Sequence, residues 1–362
     1  MPQGKYFRIG YGIALFLLIV FLANKVDFLF KPIGVIFQTL FLPIFVSGIL
    51  YYVLRPVIKG LEKLKLARWL AILLVYIAGI GIITAASIWV GPYIVNQFNA
   101  LVESMPDLVG AVQKQITELQ QQAWFSQYLQ KNDVDWSKNV GEYLNKATTI
   151  TLNSVQNIIS FMTQFLIVLT TVPFILYYML SEGEKVPRYI LRFLPEDQVD
   201  DGQHILREMD GALSSYLQGK VLLSICLGIL IFIGYAAVGL EYSLILAICM
   251  MFFNLIPYVG GIIGAVPAVI IAFIDSPAMV IKVVIIVLIA QQIEGNVLSP
   301  QIMGRKLNIH PLTIILILLV AGSFGGLLGM FLAVPLYAVA REIVTYFYKL
   351  YLLKNRKKDI KA

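Results

Sequence analysis

SLILAICMMFFNLIPYVGGIIGAVPAVIIAFI, residues 243–274, is apolar enough for a lipid bilayer and too broken for an ordinary helix across one. Asn254, Pro257, Gly260, Gly261, Gly264 and Pro267 interrupt it where a spanning helix needs an unbroken hydrogen-bond ladder. In a helix interior glycine costs about 1 kcal/mol and proline about 3 kcal/mol relative to alanine. Unwound backbone at membrane depth is tolerated only where protein or a wet cavity meets its polar groups. Residues 311–348 are broken in the same manner, by Gly322, Ser323, Gly325, Gly326, Gly329 and Pro335. The two stretches share Gly-Gly-aliphatic-aliphatic-Gly, at Gly260–Gly264 and Gly325–Gly329. Each continues to Ala-Val-Pro, at Ala265-Val266-Pro267 and Ala333-Val334-Pro335, the second after extra residues. Gly/Pro-interrupted segments in corresponding positions point to a transporter binding site. Close helix packing through small residues is the competing reading.

Six further apolar runs lie at roughly 9–30, 33–54, 69–91, 155–180, 221–240 and 278–299. The chain is 59% hydrophobic and only 14% charged, against about 25% charged in soluble domains. The apolar residues are gathered in runs near the ~20 residues that a helix needs to span the hydrocarbon layer. They lack the period-two alternation of barrel strands, so the expected fold is all-α. It is a polytopic helical membrane protein with about eight membrane segments, two of them Gly/Pro-broken re-entrant hairpins in expectation. No A-x-A-like cleavage site follows Lys5, Arg8 and the first apolar run, which reads as a retained helix.

The net charge of +7 sits at the ends of apolar runs, where it sets orientation rather than binding nucleic acid. Arg55, Lys59, Lys63, Lys65 and Arg68 against the single acid Glu62 mark a cytoplasmic loop. Both termini, with the tail Lys354-Asn-Arg-Lys-Lys358, are then cytoplasmic. The expected order is membrane helices 1–3 over 1–91, an extracytoplasmic helical insert over 92–150 and helix 4 over 151–181. A cytoplasmic helical segment over 182–220, a transport-type region over 221–350 and a basic tail over 351–362 follow. In the insert, Val95, Phe98, Leu101, Val102 and Met105 recur at helical spacing, with Pro106-Asp107 as a break and restart. Pro173 should free a carbonyl and kink helix 4. Pro195-Glu196 should open a helix running through Ile205, Met209, Leu213 and Leu217 into the fifth span. If the broken segments are hairpins, they enter from opposite faces and Arg305 and Lys306 fall in the cytoplasm. If each spans once, that basic pair faces outward.

Glu294, in Gln291-Gln292-Ile293-Glu294-Gly295-Asn296, is the ionisable group placed at membrane depth. Gln291 shares its helix face, while Gln292 and Asn296 share the neighbouring one. A carboxylate among amides can bind a cation or exchange a proton. The structural alternative is an interfacial Glu capped by Arg305 or Lys306. Asn254 can present an amide to a polar solute, or satisfy a helix end. Asp210, Ser214 and Gln218 read as a solvated face, and Lys282 as a side chain snorkelling to the interface. Cys226 and Cys249 read as packing residues. His204 and His310 form no HExxH, and Gly219-Lys220 lacks the spacing of a phosphate loop. The sequence therefore points to no enzyme, no cofactor, no metal site and no ATPase motor.

Four places taken together resemble the autoinducer-2 exporter-like family of bacterial membrane transporters. They are Phe193-Leu194-Pro195-Glu196; Tyr216-Leu217-Gln218-Gly219; Ile256-Pro257-Tyr258-Val259-Gly260 through Pro267-Ala268; and Gln292-Ile293-Glu294-Gly295-Asn296 through Pro300, His310-Pro311 and Gly329 to Pro335. The resemblance spans nearly the whole chain. It implies about eight crossings, an extracytoplasmic insert after the third, and a homo-oligomer, pentameric for exporter members. It also implies export of a small polar signalling furanone in some members and sodium or lithium/proton antiport in others. The expectation is a secondary or facilitated transporter in a bacterial cytoplasmic membrane, exporting a small polar solute with H+ or Na+ as coupling ion. Its site would comprise Glu294, Gln291, Asn296, Asn254, Pro257, Gly260, Gly261, Gly264, Gly325, Gly326 and Gly329. The alternatives are a monovalent cation/proton antiporter with Glu294 and Asn254 as ligands, and a non-transport scaffold whose insert binds other proteins.

Overall fold

The computed structural model describes residues 27–120, 154–303 and 309–359, with scattered positions between 4 and 18. Among the described residues there are helices and turns but no strand. Helix α1 runs Asp27–Lys63, α2 Arg68–Trp89, α3 Gly91–Gln120 and α4 Ser154–Glu182. After the short α5, Val186–Leu191, comes α6, Val199–Ala237. Then follow α7 Ser243–Phe253, α8 Val259–Asp275, α9 Pro277–Ile293, α10 Ser299–Ile302 and α11 Pro311–Asp359. Five described helices are long and apolar enough to cross a membrane, and α7 and α8 are shorter apolar helices. Ile77, Ile80 and Ile83 of α2, and Leu222, Ile225, Ile229 and Ile233 of α6, are exposed. Apolar residues exposed in such rows form the lipid-facing surface of a multi-pass membrane protein.

Both broken stretches fold back on themselves. A Cβ on Gly260 would run into the Phe253 carbonyl, and one on Gly264 would lie 3.0 Å from the Met250 Cα. The contacts pair falling numbers in α7 with rising numbers in α8, so the two helices are antiparallel. At 11 and 17 residues they are about 16 and 26 Å long at ~1.5 Å per residue, short of a hydrocarbon layer about 30 Å thick. In α11, Gly326 has φ 56 and ψ −140, which breaks the helix. A Cβ on Gly329 would strike the Ala321 carbonyl. Residues that far apart on a straight helix lie about 12 Å from one another, so the chain doubles back at Gly326. Neither stretch is a single straight span. Only glycine allows backbones this close, and only glycine readily takes the positive φ at 326.

Two of the four apolar clusters among the described residues tie most of the helices together. Leu227, Ile231 and Tyr235 recur at helical spacing on one face of α6 and pack on Leu246 and Met250 of α7, Ala268 and Ala272 of α8, and Val283 and Val287 of α9. Tyr51 and Ile58 of α1 pack with Ala71 and Ile72 of α2 and Leu176 and Leu180 of α4. Ser47 bonds the Val172 carbonyl at 3.2 Å within this bundle, and Tyr76 donates to the Pro173 carbonyl at 2.7 Å. Arg68 closes the bundle at the basic loop. Its Nε donates to the Leu180 carbonyl at 2.9 Å, meeting an open carbonyl in the last turn of α4. Its Nη1 donates to Glu184 at 2.8 Å and holds that carboxyl below the ordinary value.

The expected entry to the fifth span is present: a 3-10 turn at Glu196–Gln198 leads into α6, which passes through Ile205 and Leu217 without a break. Two expectations change. Helix α3 continues over Pro106-Asp107 instead of breaking there; a proline removes one ladder bond, to Val102, which is exposed enough for water to replace it. Asp210, Ser214 and Gln218 are not a solvated face. Arg55 Nη1 donates to both Asp210 oxygens at 2.9 and 2.7 Å. Gln218 donates to the Tyr52 carbonyl at 2.8 Å and to Ser214 at 2.7 Å. Asp210 and Gln218 therefore join α6 to α1, and Ser214 holds the Gln218 amide. Arg305, Lys306 and residues 121–153 lie outside the described residues.

Gly260→Ala should lower stability by about 1–3 kcal/mol through overpacking, against the gain of up to about 1 kcal/mol that Gly→Ala brings in a helix. Gly79→Ala, where nothing lies within 4 Å, should show only the gain. Thermal unfolding of both variants in detergent checks the contrast.

Candidate functional site

The site begins with α6, where Tyr216, Lys220 and Ser224 recur one helical turn apart. Lys220 is 7% exposed. Its ammonium faces Glu294, with Nζ 3.4 Å from Oε1. Asn254 closes α7, its backbone N–H donating to the Met250 carbonyl. Its side chain reaches the same carboxylate, Nδ2 donating to Glu294 Oε1 at 3.0 Å, with Ser224 Oγ at 3.5 Å. One oxygen of Glu294 thus takes a charged and a neutral donor, while Oε2 accepts no hydrogen bond among the described residues.

Glu294 starts a π-helical turn, Glu294–Leu298, between α9 and α10. The Ser299 N–H reaches back to the Glu294 carbonyl, five residues rather than four. Pro300 gives the local reason, since it has no N–H to offer the Asn296 carbonyl and its ring crowds that group. Wide turns of this kind frequently interrupt α-helices at functional sites. Opposite lies the tip of the α7–α8 hairpin. Val259 N–H donates to the Pro257 carbonyl at 2.7 Å, across Tyr258 at φ 60 and ψ −48. That is a γ-turn of the strained, positive-φ kind. A Cβ on Gly261 would lie 2.7 Å from Gln291 Nε2, so this glycine makes the space in which Gln291 sits.

These groups line a cavity of about 400 Å³, within the range of small-molecule sites. Lys220, Asn254, Gln291, Glu294 and Ser299 supply its polar wall, and Ile314 and Val334 close it from the two arms of α11. Both folded-back segments therefore meet at one chamber. A paired cation and carboxylate leave its wall without net charge, which suits hydrogen bonding to a neutral polar solute or exchange of one cation for another. No group of three metal-ligating acids, histidines or cysteines occurs among the described residues.

Of the residues singled out in the sequence, Glu294, Gln291, Asn254, Pro257 and Gly261 line the cavity. Gly260 and Gly264 lie behind it in the α7–α8 contact, and Gly329 in the corresponding contact of α11. Gly325 and Gly326 are at the exposed tip of that second hairpin. Asn296 faces away and donates to Gln292 at 2.6 Å, on the shared face its spacing implied. Sequence reasoning missed Lys220, which stands at the edge of the fifth apolar run. The polar stripe Tyr216, Lys220 and Ser224 was the available signal.

The sequence profile described as "AI-2E family transporter" matches residues 11–349. Two relatives from Bacillus subtilis (strain 168), each named "Putative transport protein", are YueF and YrrI. YueF is 42% identical over 343 residues, covering 94% of this chain and 93% of its own. YrrI is 31% identical over 347 residues, covering 93% and 94%. "Putative permease PerM" of Escherichia coli (strain K12) is 27% identical over 312 residues, covering 85% and 87%.

Removing one member of a buried ion pair strands the other. Lys220→Met and Glu294→Leu should each cost about 3 kcal/mol, the low end for buried pairs because the cavity admits water. The double variant should recover most of that loss. Unfolding of the four proteins in lipid nanodiscs measures the coupling.

Proposed function

The chain belongs to the AI-2E transporter family, and from that premise we propose a secondary or facilitated transporter that moves a small polar solute outward across a bacterial cytoplasmic membrane. The observation that carries this reading is the convergence of both helical hairpins and a buried charge pair on one cavity. The α7–α8 arms, shorter than the hydrocarbon layer, fit a re-entrant segment, and the polar tip between them lines a wet chamber, as broken backbone in a bilayer requires. The basic loop at Arg55–Arg68 supports a cytoplasmic position for that end, and with it for both termini. The solute is uncharged and rich in hydrogen-bonding groups, in the manner of a furanone signal, and hairpin movement against α1–α4 alternates its access. Glu294 couples transport to a proton or sodium ion through its open oxygen. The assembly is a homo-oligomer.

A second reading, monovalent cation/proton antiport, is favoured by the Lys220–Glu294 pair itself. A sodium or lithium ion entering at Glu294 competes with the ammonium and displaces its proton.

Reconstitution into vesicles under a pH gradient separates the readings. Labelled furanone should move with the native protein. It should slow by about tenfold or more in Glu294→Gln, the scale of one lost hydrogen bond to a charge. A pH change driven by sodium or lithium and absent in Glu294→Gln would instead establish antiport. Neither response, with folded protein in the vesicles, would overturn both.

A further inference from the structure

A second cavity, also about 400 Å³, adjoins the first on the side of the basic loop. Arg207, Glu208, Ser215 and Glu342 line it. It lies at the same end of α6 as Asp210, the partner of Arg55. Two residues belong to the walls of both cavities, Tyr216 and Met303. They pack together in one apolar cluster with Phe331 and Val334 of α11. Met303 rests on Gly219, where a Cβ would lie 2.8 Å from its Cγ. The partition between the chambers is thus formed by two side chains, each facing both cavities, and one of them is the most adaptable of apolar side chains.

Tyr216 carries a second observation. It is 4% exposed, and its hydroxyl is buried with no hydrogen-bond partner among the described residues. A buried unpaired hydroxyl is costly and calls for an explanation. A phenylalanine would fill the same apolar cluster without that cost.

We propose that the two cavities are successive chambers of one solute path, that Tyr216 and Met303 form the neck between them, and that the Tyr216 hydroxyl hydrogen-bonds the solute as it passes. This rests on the transport reading for the solute's identity, though the neck itself does not. The inner chamber carries a balanced pair and the outer one Arg207 against two carboxylates. Such walls disfavour anions and admit uncharged, hydroxyl-bearing molecules. Met303 swings off Gly219 to open the neck.

The test uses the full chain in vesicles with Cys226 and Cys249 replaced by alanine. Ser215→Cys reports the outer chamber and Ser299→Cys the inner one, each exposed to a membrane-impermeant thiol reagent on the basic-loop side. Ser215→Cys should react readily and Ser299→Cys slowly. A neck open about 0.1–10% of the time implies that Met303→Ala speeds Ser299→Cys labelling by about tenfold or more, leaving Ser215→Cys unchanged. Met303→Leu should keep it slow. Equal labelling of Ser299→Cys with Met303 or alanine at 303 would overturn the neck, as would access only from the opposite side. Where furanone transport is measurable, Tyr216→Phe should raise KM with little change in kcat. An unchanged KM would remove the hydroxyl from the path while leaving the neck to the labelling result. Labelling as expected without transport of any solute would count against the transport reading alone.

Discussion

A peptide group within hydrocarbon has no water to bond, so a chain that turns there must satisfy its own backbone. The tip between α7 and α8 makes several of these bonds within a few residues. Leu255 bonds to Phe252, Ile256 to Phe253, Val259 to Pro257 and Gly260 to Ile256. Pro257, the one residue in the tip without an N–H, needs no acceptor. The compact turn is possible only because Gly260 and Gly264 let the two helices touch. Everything at the site follows from where that tip is held: Asn254 and Gly261 flank it, and Glu294 and Gln291 meet it from α9.

The charges extend the same logic. A lone carboxylate or ammonium inside a membrane costs several kcal/mol on insertion scales, about 2.5–3.5 at a helix centre. Lys220 and Glu294 offset one another across the cavity, and Asn254 adds a donor from a third element. The pair therefore holds α6, the hairpin tip and the π-helical turn in register, while its open side stays available to chemistry. Arg55 and Asp210 do the analogous work nearer the surface, fastening α6 to the α1–α4 bundle.

Much of this was legible in the chain. The apolar runs pointed to an all-helical membrane protein, and the repeated Gly-Gly-x-x-Gly marked both places where backbones come close, while leaving a reversal and a close helix contact as alternative readings. Glu294 and Gln291 were readable from spacing on one helix face. Lys220 was not, because a lysine at the edge of an apolar run looks like an interfacial anchor until its partner, far along the chain, is placed opposite. Asp210 and Gln218 failed for the same reason: periodicity identifies a polar face but not whether water or another helix covers it. Gly325, by contrast, matched Gly260 in the motif yet lies in open space. The two hairpins use equivalent glycines differently, with Gly264 and Gly329 the pair that performs the same task.

The π-helical turn after Glu294 is, in effect, one surplus residue in a helix, and it acts as a phase shifter. Each residue advances an α-helix by about 100°, so the turn sets the rotational phase of everything after it independently of α9. Glu294 and Gln291 are placed by the packing of α9, whereas Ser299 and Met303 are placed by the offset. Shortening the turn by one residue would leave the carboxylate facing the hairpin and rotate Met303 away from Gly219. A single insertion or deletion can thus reposition Met303 against Gly219 without touching the ion pair, which separates the two as evolutionary variables.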